Sequence, residues 1–414
     1  MSRRPCLAIT LGDPCGIGPE LLIRSLGTLS SWADLRVIGA RAGLDLLEVG
    51  SGHQVKWSWH PQADDTVRGF TGTCFDLRSW ASDATIGLEG RASWFDPTPE
   101  ISASGLQLGR GSAASGRATV EAIRVGADMA LRGEVDALVT LPMAKSAAHL
   151  AGYEIPGHTE FLQALAGAPI TRMAFVSPTL SVVLHTVHQS LRSVVEQLDS
   201  ESVAETLVFA AQQFIQLTGK ADLRVALCAL NPHAGEQGAF GREEDLLHEA
   251  ILSAEAAFMS FEGDQEGVRS NPVAPPAETQ AGLHSEETTS PGLEVAVTGS
   301  GLRKPLRHAP RFFGPLPSDS LFHRAAMREF DLVVALYHDQ GLIPVKVLEP
   351  ARAVNLTLGL PFIRTSPDHG TAFDKAGRWI SDPTNFMEAA ALAIRLAGQA
   401  KGFPWHPEPP GNGA

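Results

Sequence analysis

The feature that most constrains the fold is the regular alternation of short apolar runs with longer segments of helical period. Eight runs rich in apolar and β-branched residues are predicted to be strands: CLAIT, LRVIG, VDALVT, RMAFV, LSVVLHT, LRVALCAL, DLVVALY and AVNLTL. Strands that alternate with helices are typical of an α/β fold with a largely parallel sheet. Because 414 residues exceed one ordinary core, the length indicates two or three lobes.

The composition is that of a globular protein, with 44% hydrophobic and 19% charged residues. No apolar run reaches the roughly 18 residues of a membrane-spanning helix, and the N-terminal residues carry no signal-peptide core, so we expect a cytoplasmic protein without membrane contact. A net charge of −13 with scattered basic residues argues against nucleic-acid binding. The four cysteines lack CxxC spacing, which indicates reduced thiols.

Two segments depart from the alternating pattern. Residues 261–307 are rich in Pro, Ser, Thr, Glu and Gly, and a flexible surface insertion is predicted there. Residues 403–414 have a similar composition and are predicted to be a disordered tail. Elsewhere the helical pattern is clear, and one helix is predicted to begin at Ser202, with Glu205 completing a capping box, and to end at Gly219.

Three histidines follow predicted strands, namely His188, His233 and His338. Ligands of open α/β sheets collect at the carboxyl ends of strands, and three neutral imidazoles there suit a divalent metal with open coordination positions. A single histidine at a strand end is more often a hydrogen-bonded structural residue. His185 competes with His188, and in an extended strand the two would face opposite sides.

Other polar residues also lie at the ends of predicted strands or helices, or between them. Lys145 follows the predicted strand VDALVT, and the alternative for it is a solvated lysine. His158 and Thr159 open a predicted helix, where Thr159 would otherwise serve as a cap. Lys346, Asn355 and Arg364 lie between predicted elements and could bind a phosphate or carboxylate, or lie at the surface.

The glycine-rich turn LGDPCGIGPE lies between the first predicted strand and a helix. Such a turn can present backbone N–H groups to an anion, or it can simply be a tight connection. It is not a Rossmann fingerprint, because Leu21 stands where the third glycine belongs, and it lacks the GK[ST] of a Walker loop.

Six blocks together resemble the motifs of the 4-hydroxythreonine-4-phosphate dehydrogenase family of vitamin B6 biosynthesis. The blocks are LGDPCGIGPE, PMAKSAAHLAGYEIPGHTEF, NPHAGEQGAFGREE, GPLPSD, YHDQGLIPVK and VNLTLGLPFIRTSPDHGTAFD. The resemblance runs in order from Leu7 to about Gly398 and leaves out the insertion and the tail.

The resemblance implies that residues 1–400 form a single dehydrogenase unit. Its fold would be two interleaved α/β lobes like those of isocitrate and isopropylmalate dehydrogenases, with the active site in the cleft between lobes at a homodimer interface. The cofactors implied are NAD or NADP and a divalent metal, Zn2+, Mg2+ or Co2+. The metal ligands would be His188, His233 and His338, the last supplied by the partner subunit. The substrate contacts would be His158, Thr159, Lys346, Asn355 and Arg364.

The reaction implied is oxidation of the small phosphorylated substrate 4-phosphooxy-L-threonine at C3, followed by loss of CO2. The general base stays open among Lys145, His158 and Asp339, because a base must lie within hydrogen-bond reach of the alcohol. This chain departs from the family at TVHQSLRS, where Ser193 replaces the usual acid. The alternatives are a paralogous dehydrogenase for 4-phospho-D-threonate, D-erythronate or an aromatic cis-dihydrodiol, and a non-redox metal-dependent lyase or phosphate-binding protein.

Overall fold

The computed structural model describes residues 3–50, 71–76, 91–263 and 309–398. The strands in these ranges are β1 Cys6–Thr10, β2 Asp34–Ile38, β3 Thr73–Asp76, β4 Ala92–Asp96, β5 Ala137–Thr140, β6 Arg172–Val176, β7 Ser181–Leu184, β8 Arg224–Cys228, β9 Arg311–Leu316, β10 Leu332–Ala335, β11 Val354–Leu358 and β12 Ile363–Pro367. The α-helices are α1 Gly18–Trp32, α2 Ala42–Gly50, α3 Ala113–Leu131, α4 Lys145–Leu150, α5 His158–Ala166, α6 Leu191–Glu196, α7 Ser200–Thr218, α8 Glu243–Gly263, α9 Ser318–Ala326, α10 His338–Leu348 and α11 Thr384–Gly398.

The described strands form one 12-stranded sheet in the order β3-β4-β2-β1-β5-β12-β11-β6-β7-β10-β8-β9. Seven of the eleven strand pairings are parallel and four are antiparallel. Three of the antiparallel pairings join β12, β11, β6 and β7 in the middle of the sheet. The predicted α/β fold with a largely parallel sheet is therefore confirmed.

Helices cover both faces of the sheet, which explains why its strands read as continuous apolar runs. In β1, Leu7 and Ile9 pack in one core cluster with Leu22 of α1. Ala8, between them, faces the other side and packs in a second cluster with Ile123 of α3. Successive side chains of a strand point to opposite faces, so both must be apolar when both are covered.

The helix predicted from Ser202 to Gly219 exists as α7, but its predicted start is wrong by two residues. Asp199 is the N-cap, and its carboxylate accepts the backbone N–H of Ser202 at 2.8 Å. A charged carboxylate satisfies the free N–H groups of the first turn. Gly219 ends the helix as predicted, with a left-handed φ of 69°.

The predicted insertion at residues 261–307 lies outside the described residues except for 261–263, which end α8. The tail at 403–414 lies wholly outside them. Among the described helices, none is both long and apolar enough to cross a membrane. The four cysteines are free, as predicted, with Cys15, Cys74 and Cys228 buried.

Candidate active site

A cavity of about 340 Å³ lies over the central strands of the sheet, and we call it the central cavity. Its walls come from β5, β12, β11 and β6 and from the segments that follow β5, β7 and β12. The lining residues are Thr140, Pro142, Met143, Lys145, Gly157, His158, Thr159, Glu160, Met173, His188, Asn355, Arg364, Ser366, Pro367, Asp368, His369 and Gly370. The volume falls within the roughly 300–1,000 Å³ of small-molecule sites.

Six of the ten residues predicted for the site line this cavity. They are Lys145, His158, Thr159, His188, Asn355 and Arg364. They come from five separate elements or loops, and the sheet brings them together across more than 200 positions of sequence. His233, His338, Asp339 and Lys346 are not among the lining residues.

Arg364 supplies a buried positive charge to the central cavity. It is the second residue of β12 and only 2% exposed. Its guanidinium donates from Nε and Nη2 to the Thr140 hydroxyl at 3.1 and 2.6 Å, and from Nη1 to the Thr357 hydroxyl at 3.0 Å. Burial lowers its pKa to about 10, an effect that Glu160 partly offsets. The group is still charged at neutral pH, and N–H groups remain for an anion.

His158 Nε2 and Asn355 Oδ1 are among the buried polar atoms of the cavity lining that have no hydrogen-bond partner within the described chain. Burial, with the cations Arg364 and Lys145 nearby, holds the pKa of His158 well below its ordinary value, so the imidazole is neutral. Buried polar atoms without partners cost stability unless a ligand or water satisfies them. Both atoms are thus suited to bind a polar ligand.

The helix that carries His158 and Thr159 begins as predicted. His158 is the first residue of α5, and Gly157 is the N-cap with no side-chain capping bond. Thr159 therefore does not cap the helix. A Cβ at position 157 would lie 2.8 Å from Oε2 of Glu160, so the Glu160 carboxylate would have to move to admit a side chain there.

His188 and His338 lie together, with ring centroids 5.9 Å apart. His338 opens α10, and its Nδ1 is 2.7 Å from Oδ1 of Asp339. A ring centroid lies roughly 3 Å from an ion bound at its nitrogen, so both rings could reach one ion. A carboxylate on the second nitrogen is the usual way to orient a metal-binding histidine. The geometry therefore connects Asp339 with His338 rather than with a substrate proton.

His233 lies apart from this pair. Within the described ranges, no group of three or more His, Cys, Asp or Glu side chains is arranged to hold a metal. The resemblance implied that His338 is the ligand from the second subunit, whereas the structure places His338 beside His188 of the same chain. The metal site of three histidines thus stays a prediction, because His233 does not lie with His188 and His338 within the described chain.

The backbone at His233 is left-handed, with φ of 53°, and Ala234 continues it with φ of 52°. Such conformations cost non-glycine residues energy and persist where the surroundings enforce them. Just before this stretch, Oε1 of buried Glu244 accepts the backbone N–H groups of Leu230 and Asn231 at 3.1 and 2.7 Å, which anchors the start of the loop.

His185 is a structural residue. Its Nδ1 is 2.8 Å from the hydroxyl of Thr206 on α7, and burial beside Arg172 lowers its pKa to about 4. β7 ends at Leu184, and His188, three residues beyond His185, reaches the cavity. The structure thus separates the two histidines between which the strand pattern could not decide.

The glycine-rich turn is a tight connection rather than an open anion cradle. The backbone N–H groups of Asp13, Gly16 and Ile17 donate to backbone carbonyls, and that of Cys15 donates to the Asp13 carboxylate at 2.9 Å. Gly12 has φ of 71°, and a Cβ there would lie 2.4 Å from the carbonyl oxygen of Pro142. Glycine is required because the chain passes so close to its neighbour.

Sequence reasoning missed three charged or titratable residues of the cavity lining, Glu160, Asp368 and His369. Asp368 and His369 directly follow β12, so the strand-end position that identified His188 could have found them. Asp368 forms an ion pair with Lys346, with Nζ 2.5 Å from Oδ2. Lys346 thus contacts the cavity lining through Asp368.

Comparison with known proteins agrees with the motif blocks. The family model described as "Pyridoxal phosphate biosynthetic protein PdxA" matches residues 75–266 and 286–393. A D-threonate 4-phosphate dehydrogenase of Cupriavidus necator is 35% identical, over 95% of this chain and 97% of its own length. A 4-hydroxythreonine-4-phosphate dehydrogenase of Bradyrhizobium diazoefficiens is 34% identical, over 94% of this chain and 96% of its own.

A solved structure is also similar. The 4-hydroxythreonine-4-phosphate dehydrogenase of Klebsiella pneumoniae is 30% identical and superposes with a TM-score of 0.69, covering 95% of this chain and 98% of that one. Sequence and fold therefore indicate the same family over nearly the whole chain.

Proposed function

The chain belongs to the PdxA family and is a dehydrogenase, and from this premise we propose that it oxidises 4-phosphooxy-L-threonine at C3 with NAD+ or NADP+. The product, 2-amino-3-oxo-4-phosphooxybutanoate, loses CO2 to give 3-amino-2-oxopropyl phosphate, in the synthesis of pyridoxal phosphate. The observation that carries this proposal is the buried guanidinium of Arg364 in the polar lining of the central cavity.

Arg364 binds an anionic end of the substrate. Within the described residues its buried guanidinium forms hydrogen bonds only to neutral hydroxyls and no ion pair, so it can bind an entering phosphate or carboxylate directly. Charge-assisted bonds in such a site are roughly twice as strong as neutral ones. Lys346, at the Asp368 side of the cavity, is suited to hold a second anionic group.

The neutral imidazole of His158 offers a polar contact to the part of the substrate that reacts. Its Nε2 lacks a partner, and Lys145 lies close enough to lower the pKa of the imidazole further. We assign proton transfer to the pair formed by Lys145 and His158, because both line the cavity. Asp339 instead orients His338.

His188 and His338 would hold a divalent ion at the side of the cavity that His188 lines. When bound, the nicotinamide cofactor would accept the hydride, and the divalent ion would stabilise negative charge on the substrate oxygen. His233 is the third ligand proposed. In this account, it completes the site when two chains meet.

We propose a homodimer with a shared active site. Exposed apolar side chains on α10, Ile343 and Val347, are 61% and 75% exposed in the single chain. α6, which follows His188, exposes Leu191 to 62%. Exposed apolar residues this close to a site are typical of a surface that a partner covers.

A second candidate substrate is D-threonate 4-phosphate. The observation in its favour is the relative from Cupriavidus necator, whose identity to this chain is 35% against 34% for the Bradyrhizobium enzyme. Both substrates carry a phosphate and a carboxylate, and they differ at C2, where one has an ammonium group and the other a hydroxyl. A buried arginine recognises the anionic groups of either.

The experiment that tests the proposal is a comparison of kcat/KM for the two substrates, with NAD+ and NADP+ and each of Zn2+, Mg2+ and Co2+. We expect the higher kcat/KM with 4-phosphooxy-L-threonine. A higher value with D-threonate 4-phosphate would establish the second candidate, and no turnover of either would reject both. A dephosphorylated substrate is the control for the role of the phosphate.

A further inference from the structure

The Lys346 ammonium is bound twice by one residue. Its Nζ lies 2.5 Å from Oδ2 of Asp368 and donates to the Asp368 backbone carbonyl at 2.9 Å. An ammonium has three N–H donors, so at least one remains. The lysine side chain is 42% exposed and that of Asp368 17%, so the pair lies at the rim of the cavity with its carboxylate inside.

Asp368 is itself fixed by the fold. It directly follows β12, and its backbone N–H donates to Oδ1 of Asn385 on α11 at 2.5 Å. The Asn385 amide donates in turn to the carbonyls of Ala351 and Ala353 at 3.2 and 2.7 Å. These two residues lie between α10, which carries Lys346, and β11. Buried Asn385 thus ties both partners of the ion pair to the same frame.

We propose that Asp368 is a positioning residue for Lys346. It holds the ammonium at the rim of the central cavity with its third N–H available, so that the anionic end of the substrate meets an ordered cation. A half-exposed lysine without this anchor would sample many rotamers, and the substrate would have to order it on binding. This inference rests on the proposed function, which makes Lys346 a substrate contact.

The opposite role is competition, in which the Asp368 carboxylate takes the ammonium away from the substrate and repels its negative charge. The two roles predict opposite signs. If Asp368 positions Lys346, its removal raises KM, and if it competes, its removal lowers KM. The fixed backbone of Asp368 and its two contacts with one nitrogen, an ion pair through Oδ2 and a hydrogen bond at the carbonyl, favour positioning.

The first experiment is a double-mutant cycle of Asp368→Asn and Lys346→Met. We expect Asp368→Asn to raise KM for the phosphorylated substrate about 2- to 10-fold, the range for one unanchored side chain, with kcat changed less than about twofold. In the Lys346→Met background, Asp368→Asn should leave KM unchanged, because its effect passes through the lysine. An equal effect in both backgrounds, or a lower KM, would overturn the proposal.

A matched control is Glu388→Gln. Oε1 of Glu388 lies 2.7 Å from Nε of Arg352, and this ion pair lies outside the cavity lining. The control variant should leave KM as in the unaltered protein. A rise in KM like that of Asp368→Asn would show that the loss of any such ion pair produces the effect, and would refute the proposal.

The second experiment needs no substrate, so its result is independent of the proposed function. Lys346 is acylated with an amine-directed reagent, and the extent is measured by peptide mass spectrometry. Asp368→Asn should increase labelling of Lys346, while Lys220, held by Asp331 at 2.8 Å, serves as internal reference. Unchanged labelling would contradict the proposal even if the enzyme were active.

Asp368→Glu keeps a carboxylate at this position and is the second variant if Asp368→Asn does not fold, as judged by circular dichroism. Lys346 should remain protected from acylation in Asp368→Glu. Loss of protection in this folded variant would also overturn the proposal.

Discussion

Replacing Arg364 with Met should stabilise the free protein while weakening substrate binding. Burial lowers the pKa of Arg364 from 12.5 to about 10, which corresponds to about 3 kcal/mol of unfavourable desolvation of the charged form. Methionine has a similar length and no charge, so it relieves this cost. The hydroxyls of Thr140 and Thr357 lose their donor, at about 1 kcal/mol each. The free energy of unfolding should therefore rise by about 1 kcal/mol.

Substrate binding should change in the opposite direction. Loss of the charge-assisted bonds from Arg364 should cost about 1.5–3 kcal/mol, or roughly 10- to 150-fold in KM. Urea unfolding with and without substrate measures both effects, because a ligand at about 100 times its Kd stabilises by about 2.7 kcal/mol. Arg395→Met, which removes a half-buried arginine outside the cavity lining, should leave KM unchanged. An Arg364→Met variant that loses stability and keeps its KM would contradict both predictions.

Three further predictions follow from the described contacts. Burial raises the pKa of Asp13 to about 6, so the stability that this group contributes is present below about pH 4 and lost as pH rises through about 6. Asp13→Asn should remove about 3 kcal/mol of this pH dependence in denaturant titrations, and an unchanged profile would disprove the assignment. Asp339→Asn should weaken divalent-metal affinity about 10- to 100-fold by calorimetry, since it leaves His338 without its orienting carboxylate, and unaltered affinity would count against that role. His188→Asn should abolish metal binding, whereas His185→Asn, its matched control, should retain it, and equal losses would contradict the separation of the two histidines.

Much of the fold could be predicted from the local pattern of apolar and polar residues. β1 and β6 have the predicted bounds, and the other strands that were predicted differ by one to three residues at their ends. The strand order and the antiparallel β11 could not be predicted, because both depend on which strands pair across long separations. The start of α7 differed because Asp199 competes with Ser202 as a cap. Local propensity does not decide between two neighbouring capping residues.

The site could be predicted only where position in the chain implies position in space. His188 follows β7 and reaches the cavity, as the strand-end argument expects. His233 follows β8 in the same way, yet its backbone is left-handed and the residue does not line the cavity. The Lys346–Asp368 pair joins residues 22 positions apart on different elements, which periodicity cannot show.

We propose that a phosphorylated substrate binds in the central cavity and is oxidised there. The most direct measurement is the rise in NADH or NADPH absorbance with 4-phosphooxy-L-threonine and a divalent metal, compared with dephosphorylated 4-hydroxy-L-threonine. We expect turnover of the phosphorylated compound and a loss of kcat/KM of about 10-fold or more without the phosphate, because one of the two cations, Arg364 or Lys346, loses its anionic partner. No rise with any metal and either nicotinamide cofactor, or equal rates with both compounds, would contradict it.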